Sequence, residues 1–537
     1  MVLVSGAIAA FVSLLLLVAV PAGGDASAHL YRTFLVQHGA LLWDNLWFAG
    51  QYPLVSYSLF YYLPAAVIGN AVLGAGGVIL SALLFASLVL RAFGLVARWP
   101  SYAFALVAGG QFFTGDYPYT LGFASLLATL WSLQRGRTAL AVAFAALTLG
   151  CSPLAFLFLC LALVALGLVA RPPRNQVIVV AGTIAVLAGI ELGALVLFPS
   201  RGLYYPFAGW RFVLGVPVGV FGSVLALRSR AARPLASIFI VWTVATVIAF
   251  FVRSPVGHNL LRPATVVFPL MLLVALLAGF RPLRLVVPAV AVAFAANFFP
   301  YVPTVSARAD RAAKLAFWAP MLHYVDRHSS DNFRLEVVPT INHWEAYFVP
   351  RSGHPIARGW YQQLDSGDNP NLNRGRLTGP VYRAWLRSVG VRYVLAAHDS
   401  PASGSWPELR LLRSGHSGLV RVFHSPTGDV YELPHATPIL TGPGPADILS
   451  ENHQSISGWL SRPGTYLLRL HFTPFWNLSS SSLCIRSTSS GMTQLDARRP
   501  GPFSLHAAEG IDSLLDILLD ERRARTALCP TTHHPGR

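Results

Sequence analysis

Residues 23–32 read GGDASAHLYR, directly after an apolar stretch, and set Asp25, His29 and Arg32 at i, i+4 and i+7. On a helix that spacing stacks an acid, an imidazole and a guanidinium along one face. Two readings fit. Asp25, following two glycines and preceding ASAHLYRTFLVQ, is a good N-cap, with His29 and Arg32 on a solvated face. Alternatively, its carboxylate is a general base for an acceptor hydroxyl, while His29 and Arg32 hold a phosphate leaving group where charge develops during transfer. Asp116, in FFTGDYPYT, could complete an acidic pair in space; its competing role is a turn residue before Pro118. His258 and Arg262 open a later helix and are candidate phosphate contacts, His258 being equally an interfacial polar group.

The elements that must carry these residues belong to a membrane chain. Hydrophobic residues make up 54% and charged residues 12%, and mean hydropathy is +0.53, whereas soluble domains hold about a quarter charged residues. The net charge of +17 does not indicate nucleic-acid binding. Nearly all basic residues are arginine, Lys314 being the one lysine; many lie in short inter-span loops, and the rest are scattered through the C-terminal region with no run dense enough for a phosphate track. Twelve apolar segments, near 3–20, 57–73, 78–97, 101–113, 118–133, 138–150, 153–170, 176–198, 212–227, 235–252, 260–279 and 283–299, are candidate crossings. Ser152-Pro153 breaks the pair at 138–170 into a helical hairpin.

Arginine placement orients them. Arg135 and Arg137, Arg171 and Arg174, Arg228, Arg230 and Arg233, and Arg281 and Arg284 occupy alternate loops, while Arg201, Arg211 and Arg253 lie between. The denser loops are cytoplasmic, so the region after residue 300 lies outside. With the GGDASAHLYR loop also outside, one segment between 57 and 133 cannot cross. The expected fold is therefore a polytopic α-helical membrane protein with about eleven crossings plus a re-entrant or partial segment. Residues 1–300 form the transmembrane domain with an aromatic outer loop at 21–56, whose Trp and Tyr suit the headgroup layer.

Beyond residue 300 the composition is that of soluble protein. FRLEVV (333–338), RYVLAA (392–397), LVRVF (419–423) and DVYEL (429–433), with a helix at 380–389, predict an extracytoplasmic α/β domain over 301–445. Short alternating runs then predict a small β-sandwich over 446–537, ending in an amphipathic helix at 511–525. Cys484 and Cys529 could pair in an oxidising compartment, whereas Cys151 and Cys160 fall in apolar segments. His343, Trp344, Glu345, Arg358, Trp360, Gln363 and Asp365 crowd into a short stretch suited to glycan contact, since Trp stacks on sugar faces and acids accept from hydroxyls. The same residues also suit docking on a membrane protein.

The order of features, an apolar first helix, GGDxxxHxxR, then an aromatic stretch ending SLFYYLPAA, resembles the polytopic glycosyltransferases of the GT-C type. More closely it resembles bacterial integral membrane proteins called 6-pyruvoyl-tetrahydropterin-synthase-related, whose outer domain is similar to NHWEAYFVPRSGHPIARGWYQQLD (342–365) and VYRAWLRSVGVRYVL (381–395). The resemblance implies a bacterial plasma-membrane enzyme that moves a sugar from a polyprenyl-phosphate donor to an envelope glycan or lipid on the outer face, with Asp25 as the matching acid. GT-C enzymes commonly pair two acids in this loop. Here Asp25 stands alone, the next acid and possible second member, Asp44, lying nineteen residues on; a divalent metal is therefore a possible cofactor, not an implied one. No pterin-type zinc histidines are present. The rival reading is a non-catalytic scaffold, flippase or transporter for envelope polymers. Ion-coupled transport usually places ionisable groups mid-span, where Glu191 is the clearest.

Overall fold

Long apolar runs make the first part of the chain helical. In the computed structural model, α1 (Val2–Ala19), α2 (Ala26–Gln37), α3 (Tyr62–Ile68), α4 (Asn70–Phe93), α5 (Arg98–Val107), α6 (Gly110–Phe113) and α7 (Tyr117–Gln134) are followed by α8 (Thr138–Cys151), α9 (Pro153–Gly167), α10 (Arg174–Leu197), α11 (Gly209–Arg228), α12 (Arg233–Phe251), α13 (Ala264–Leu277) and α14 (Leu283–Phe298). The structure describes residues 1–19, 23–49, 52, 57–170, 172–198, 205–298, 302, 310–360, 369, 372, 377–479, 482–508 and 527–528. It divides into two units, 1–33 with 54–309, and 34–53 with 310–537.

Five helical stretches of the described residues are long and apolar enough to cross a membrane: Asn70–Phe113, Arg174–Leu197, Gly209–Arg228, Arg233–Phe251 and Gly257–Leu277. Shorter apolar helices stand at Val2–Val18, Thr138–Cys151, Pro153–Gly167 and Leu283–Phe298. No residue of α10 is buried, although Val177, Ile178, Val186, Ile190, Leu192 and Val196 are all large and apolar. Such a surface is stable only against hydrocarbon or another apolar partner. This is a multi-pass membrane protein.

Two local breaks decide how the helices are laid out. The apolar segment expected at 57–73 is not one helix: α3 stops at Gly69, whose φ is 93°, and the chain restarts as α4. At 1.5 Å per residue α3 is about 10 Å long, a third of a ~30 Å hydrocarbon core, so it is too short to cross as a helix by itself. At the other break, α8 gives way to α9 at Ser152, whose hydroxyl accepts from Ala155 N and whose successor Pro153 needs no helical partner. That is the hairpin expected from Ser152-Pro153.

The second unit is β-rich. After α15 (Leu315–His328), β1 (Arg334–Val337), α16 (Glu345–Arg351), α17 (Gly379–Ser388), β2 (Val391–Ala397), α18 (Trp406–Arg413), β3 (Val420–Ser425) and β4 (Gly428–Glu432) build a mixed sheet of order β1-β2-β4-β3. β1 and β2 run parallel, joined through helices, and the other pairs are antiparallel. Next come β5 (Leu440–Thr441), β6 (Ala446–Glu451), β7 (Ser455–Leu460), β8 (Gly464–His471), β9 (Trp476–Leu478), β10 (Leu483–Ser487), β11 (Met492–Ala497), β12 (Gly501–Ala507) and β13 (Ala527–Leu528). They form two sheets, β13-β10-β11-β8-β5 and β6-β7-β12-β9. Ile448, Ile456, Phe503 and Leu505 of one sheet share a core with Tyr466, Leu468, Ile485 and Leu495 of the other, which makes a two-layer sandwich. It begins at β5, a few residues before the expected 446. Cys484 is disulfide-bonded, and Ile485 beside it pairs with Leu528; Cys529 and the helix expected at 511–525 lie outside the described residues.

The stretch expected to form one loop at 21–56 is divided between the two units. Residues 34–53 belong to the second unit because their aromatics complete its cores. Trp43 sits in the sandwich core and Phe48 in the core of the mixed sheet. Trp47 pairs with Ile356 as an isolated parallel bridge and donates from its indole to Ala346 O at 3.0 Å. Most of this stretch is therefore packing rather than a membrane-interface belt.

Candidate active site

The first unit gathers its polar residues at the N-terminus of α2. Gly23 N donates to Phe113 O and Asp25 N to Thr114 O, both at 3.2 Å, so the entry to α2 and the loop before α7 lie side by side. Gly115 allows it. Its φ is +84°, and a Cβ there would come 2.5 Å from Ala26 N, so only glycine suits both the conformation and the contact. Asp25 occupies the N-cap position by its backbone, its carbonyl accepting from His29 N at 3.4 Å. Its side chain also faces a cation: Arg262 Nη2 donates to Asp25 Oδ2 at 3.2 Å.

Arg262 sits just after a short 3-10 turn, Gly257–Leu261, and its guanidinium bridges two acids. The other is Asp116, fully buried, which pairs with Arg262 Nη1 and accepts from Tyr57 Oη at 3.0 Å. Asn259 Oδ1 accepts from Arg262 Nε at 3.0 Å, which fixes the plane of the fork. Asp25 and Arg262 are each about one-fifth exposed (20% and 21%), against 0% for Asp116. The open side of the bridge is therefore Asp25.

His29 and Arg32 form the buried wall of the cluster. His29 Nδ1 lies 2.8 Å from Tyr62 Oη, and its Nε2 is 3.8 Å from Asp116 Oδ1. Burial, with Arg32 and Arg262 nearby, holds the imidazole well below its ordinary 6.5, so the ring is neutral near pH 7. Arg32 Nη1 donates to Tyr62 Oη at 3.4 Å, and its guanidinium stands 5.1 Å over the Tyr57 ring. Two carboxylates and two guanidiniums balance with His29 uncharged. An anion entering at the exposed side would meet arginine, and an acceptor hydroxyl would meet a carboxylate.

Of the residues singled out in the sequence, the structure brings together Asp25, His29, Arg32, Asp116 and Arg262. His258 turns away to Pro206 O at 2.7 Å and the Tyr205 ring. Asp44 lies in the second unit, where it accepts from Leu46 N at 3.2 Å and pairs with His453 at 2.9 Å. The glycan-contact set is mostly interior. Glu345 accepts from Thr340 N and Oγ1 and pairs with His343. Arg358 lies between Glu336 and Glu408, with Tyr382 donating to Glu408 at 2.5 Å. Trp344 is 5% exposed. Trp360 packs edge-on to His343, and Gln363 and Asp365 lie outside the described residues. An acid network built inward serves the domain's own packing, so Trp344, Glu345 and Arg358 do not present a sugar-facing cleft.

Tyr57 and Tyr62 are the members that sequence reasoning passed over. Both fell within an aromatic stretch read as an anchor, and the only signal was that these positions carry hydroxyls where phenylalanine would anchor equally well.

No family model and no curated protein matches the chain. Among solved structures it is similar to ArnT from Cupriavidus metallidurans. The apo form is 15% identical, the match covering 80% of this chain and 97% of that one, with a TM-score of 0.45. The form bound to undecaprenyl phosphate is 14% identical, covering 82% and 99%, with a TM-score of 0.43.

Proposed function

We propose that the chain is a GT-C-like membrane glycosyltransferase, moving a sugar from a polyprenyl-phosphate donor to an envelope glycan or lipid on the outer face of a bacterial plasma membrane. The observation that carries this reading is Arg262 shared between a half-open and a buried carboxylate, Asp25 and Asp116. In the resting arrangement Arg262 neutralises Asp25. A donor phosphate competes for the exposed edge of the guanidinium, by the bidentate match of arginine to phosphate, and frees the Asp25 carboxylate. Asp116, held by Tyr57, keeps the other edge in place. Asp25 then takes the proton of the acceptor hydroxyl, the acceptor oxygen bonds to the anomeric carbon, and the bond from that carbon to the phosphate oxygen breaks. Polyprenyl phosphate departs with its added charge facing Arg262, with Arg32 behind, where charge stabilisation acts on the transition state. Arg262 takes the place between the two acids that a divalent ion would need, so the pair fits a guanidinium-held phosphate better than a bound metal.

On this reading α1, α4, α5 with α6, and α7 to α14 cross in turn, α3 lies part-way, and the arginine-rich connections are cytoplasmic. The cap position of Asp25 supports the rival, a non-catalytic scaffold or flippase in which the acid only starts α2. The experiment compares envelope glycolipids and polymers of a deletion strain complemented with wild type or with Asp25→Asn, both verified by immunoblot. An amide still caps a helix but cannot take a proton. Loss of the glycan in the variant at normal protein level is the expected result; full restoration would leave Asp25 a cap and favour the scaffold.

A further inference from the structure

We propose a divalent transition-metal site, suited to zinc, on the mixed sheet of the second unit, formed by His398, His424 and Asp429. Its geometry follows from strand register. His424 of β3 and Asp429 of β4 are direct cross-strand partners, and Asp429 faces Ala396 of β2 on its other side. Cross-strand partners share a face, and so do residues two apart along a strand. His398, two residues beyond Ala396, therefore joins the same face from the third strand. Its backbone N donates to Thr427 O at 2.8 Å, which ties the end of β2 to the β3–β4 turn. Ser425 Oγ fixes that turn, accepting from Thr427 N and Gly428 N and donating to Gly428 O.

The side chains already converge. His398 Nε2 is 2.9 Å from Asp429 Oδ2 and His424 Nδ1 is 2.6 Å from Asp429 Oδ1, and the three ligand atoms lie within 4.8 Å of one another. A tetrahedral zinc with bonds near 2.0–2.1 Å needs its ligands about 3.3 Å apart, so closing on an ion takes movements on the order of an ångström. The freedom to make them belongs to His424, 63% exposed, while Asp429 is 8% exposed on the rigid central strand. Arg421 Nη1, 3.9 Å from Asp429 Oδ1 and 57% exposed, is the cation that would have to yield, and it can swing into solvent. Two imidazoles and a carboxylate suit a borderline ion such as zinc and leave a fourth position to water. The ligands are 26 and 5 residues apart in sequence, a spacing that no local metal motif has.

The test uses the full chain in detergent, with the tail pair His533 and His534 replaced by alanine so that it does not compete. Cobalt(II) is titrated in as a coloured probe and displaced with zinc. Expected are one saturable cobalt per chain with visible d–d absorption, loss of the colour on adding zinc, and a zinc-dependent rise in unfolding temperature. His424→Ala, at an exposed position, should keep a cooperative metal-free unfolding transition, lowered only by the lost hydrogen bond to Asp429, and weaken binding by about tenfold or more, since even outer partners of ligands typically matter by 10–100-fold. His398→Ala should weaken it likewise. No saturable absorption, or binding unchanged in both variants, would overturn the site and leave the three residues a hydrogen-bonded cluster.

Discussion

At the scale of single residues, His29 is the group whose state is fixed by its surroundings. It is 1% exposed, and burial followed by the fields of Arg32 and Arg262 lowers its pKa well below 6.5. The unfolded chain carries an ordinary histidine, which binds a proton below about pH 6.5. Between that value and the depressed native one, the unfolded state holds more protons than the folded state. Stability therefore rises with pH in this window, and His29's contribution, complete above 6.5, is lost as the pH falls. Wild type and His29→Gln, unfolded by heat in detergent at pH 7.5 and 5.5, should differ in slope: wild type loses more stability over this interval than the variant does. Parallel slopes would mean that His29 is charged in the fold, and the balance of two acids against two arginines would have to be redrawn.

Elements, rather than residues, set the distance between the two acids. Asp25 caps α2, Asp116 precedes α7, and Arg262 enters from the turn before α13, so the cluster depends on the 113–116 loop lying against the start of α2. Gly115→Ala tests that support. It adds a side chain at φ +84° and drives it into Ala26, a conformational penalty and an overpacking penalty together worth about 2–3 kcal/mol. The expected outcome is a lower unfolding temperature and loss of the glycan in the complementation assay; retention of both would show that the loop can yield without moving Asp116. The helical part of this arrangement was legible in the sequence, because apolar runs and the Ser152-Pro153 break act locally. Asp25, His29 and Arg32 were legible for the same reason, through helical spacing. Asp116 and Arg262 could be nominated but not joined, since they lie 146 residues apart and only the packed helices bring them into contact. Gly69 hid the break between α3 and α4, because a hydropathy reading does not register one positive φ. Tyr57 and Tyr62 were hidden because their rings satisfy an interface rule as well as their hydroxyls satisfy a buried network.

Across the whole molecule, chain order and unit membership disagree. The second unit takes its bulk from 310–537 but draws Trp43, Trp47 and Phe48 from 34–53, each at most 1% exposed. The segment is also tied in by its backbone: Asn45 N donates to His453 O at 2.8 Å, Phe48 N to Ile356 O at 3.1 Å, and Leu46 O accepts from Ile356 N at 2.8 Å. Large aromatic-to-alanine changes in cores cost about 3–5 kcal/mol each, and a whole domain holds about 5–15 kcal/mol. Losing two tryptophans and a phenylalanine together thus approaches or exceeds the total. A fragment of 310–537 alone should therefore be unfolded or aggregated, with no cooperative thermal transition. The same fragment with 34–53 attached through a flexible linker should unfold cooperatively, and Trp47→Ala within it should lower the midpoint sharply. A well-folded 310–537 would show that the three aromatics fill space the domain can close by itself. If instead the segment is required, the stretch that follows His29 and Arg32 in sequence is also a structural part of the second unit, and any fragment meant to isolate that unit has to carry 34–53 with it.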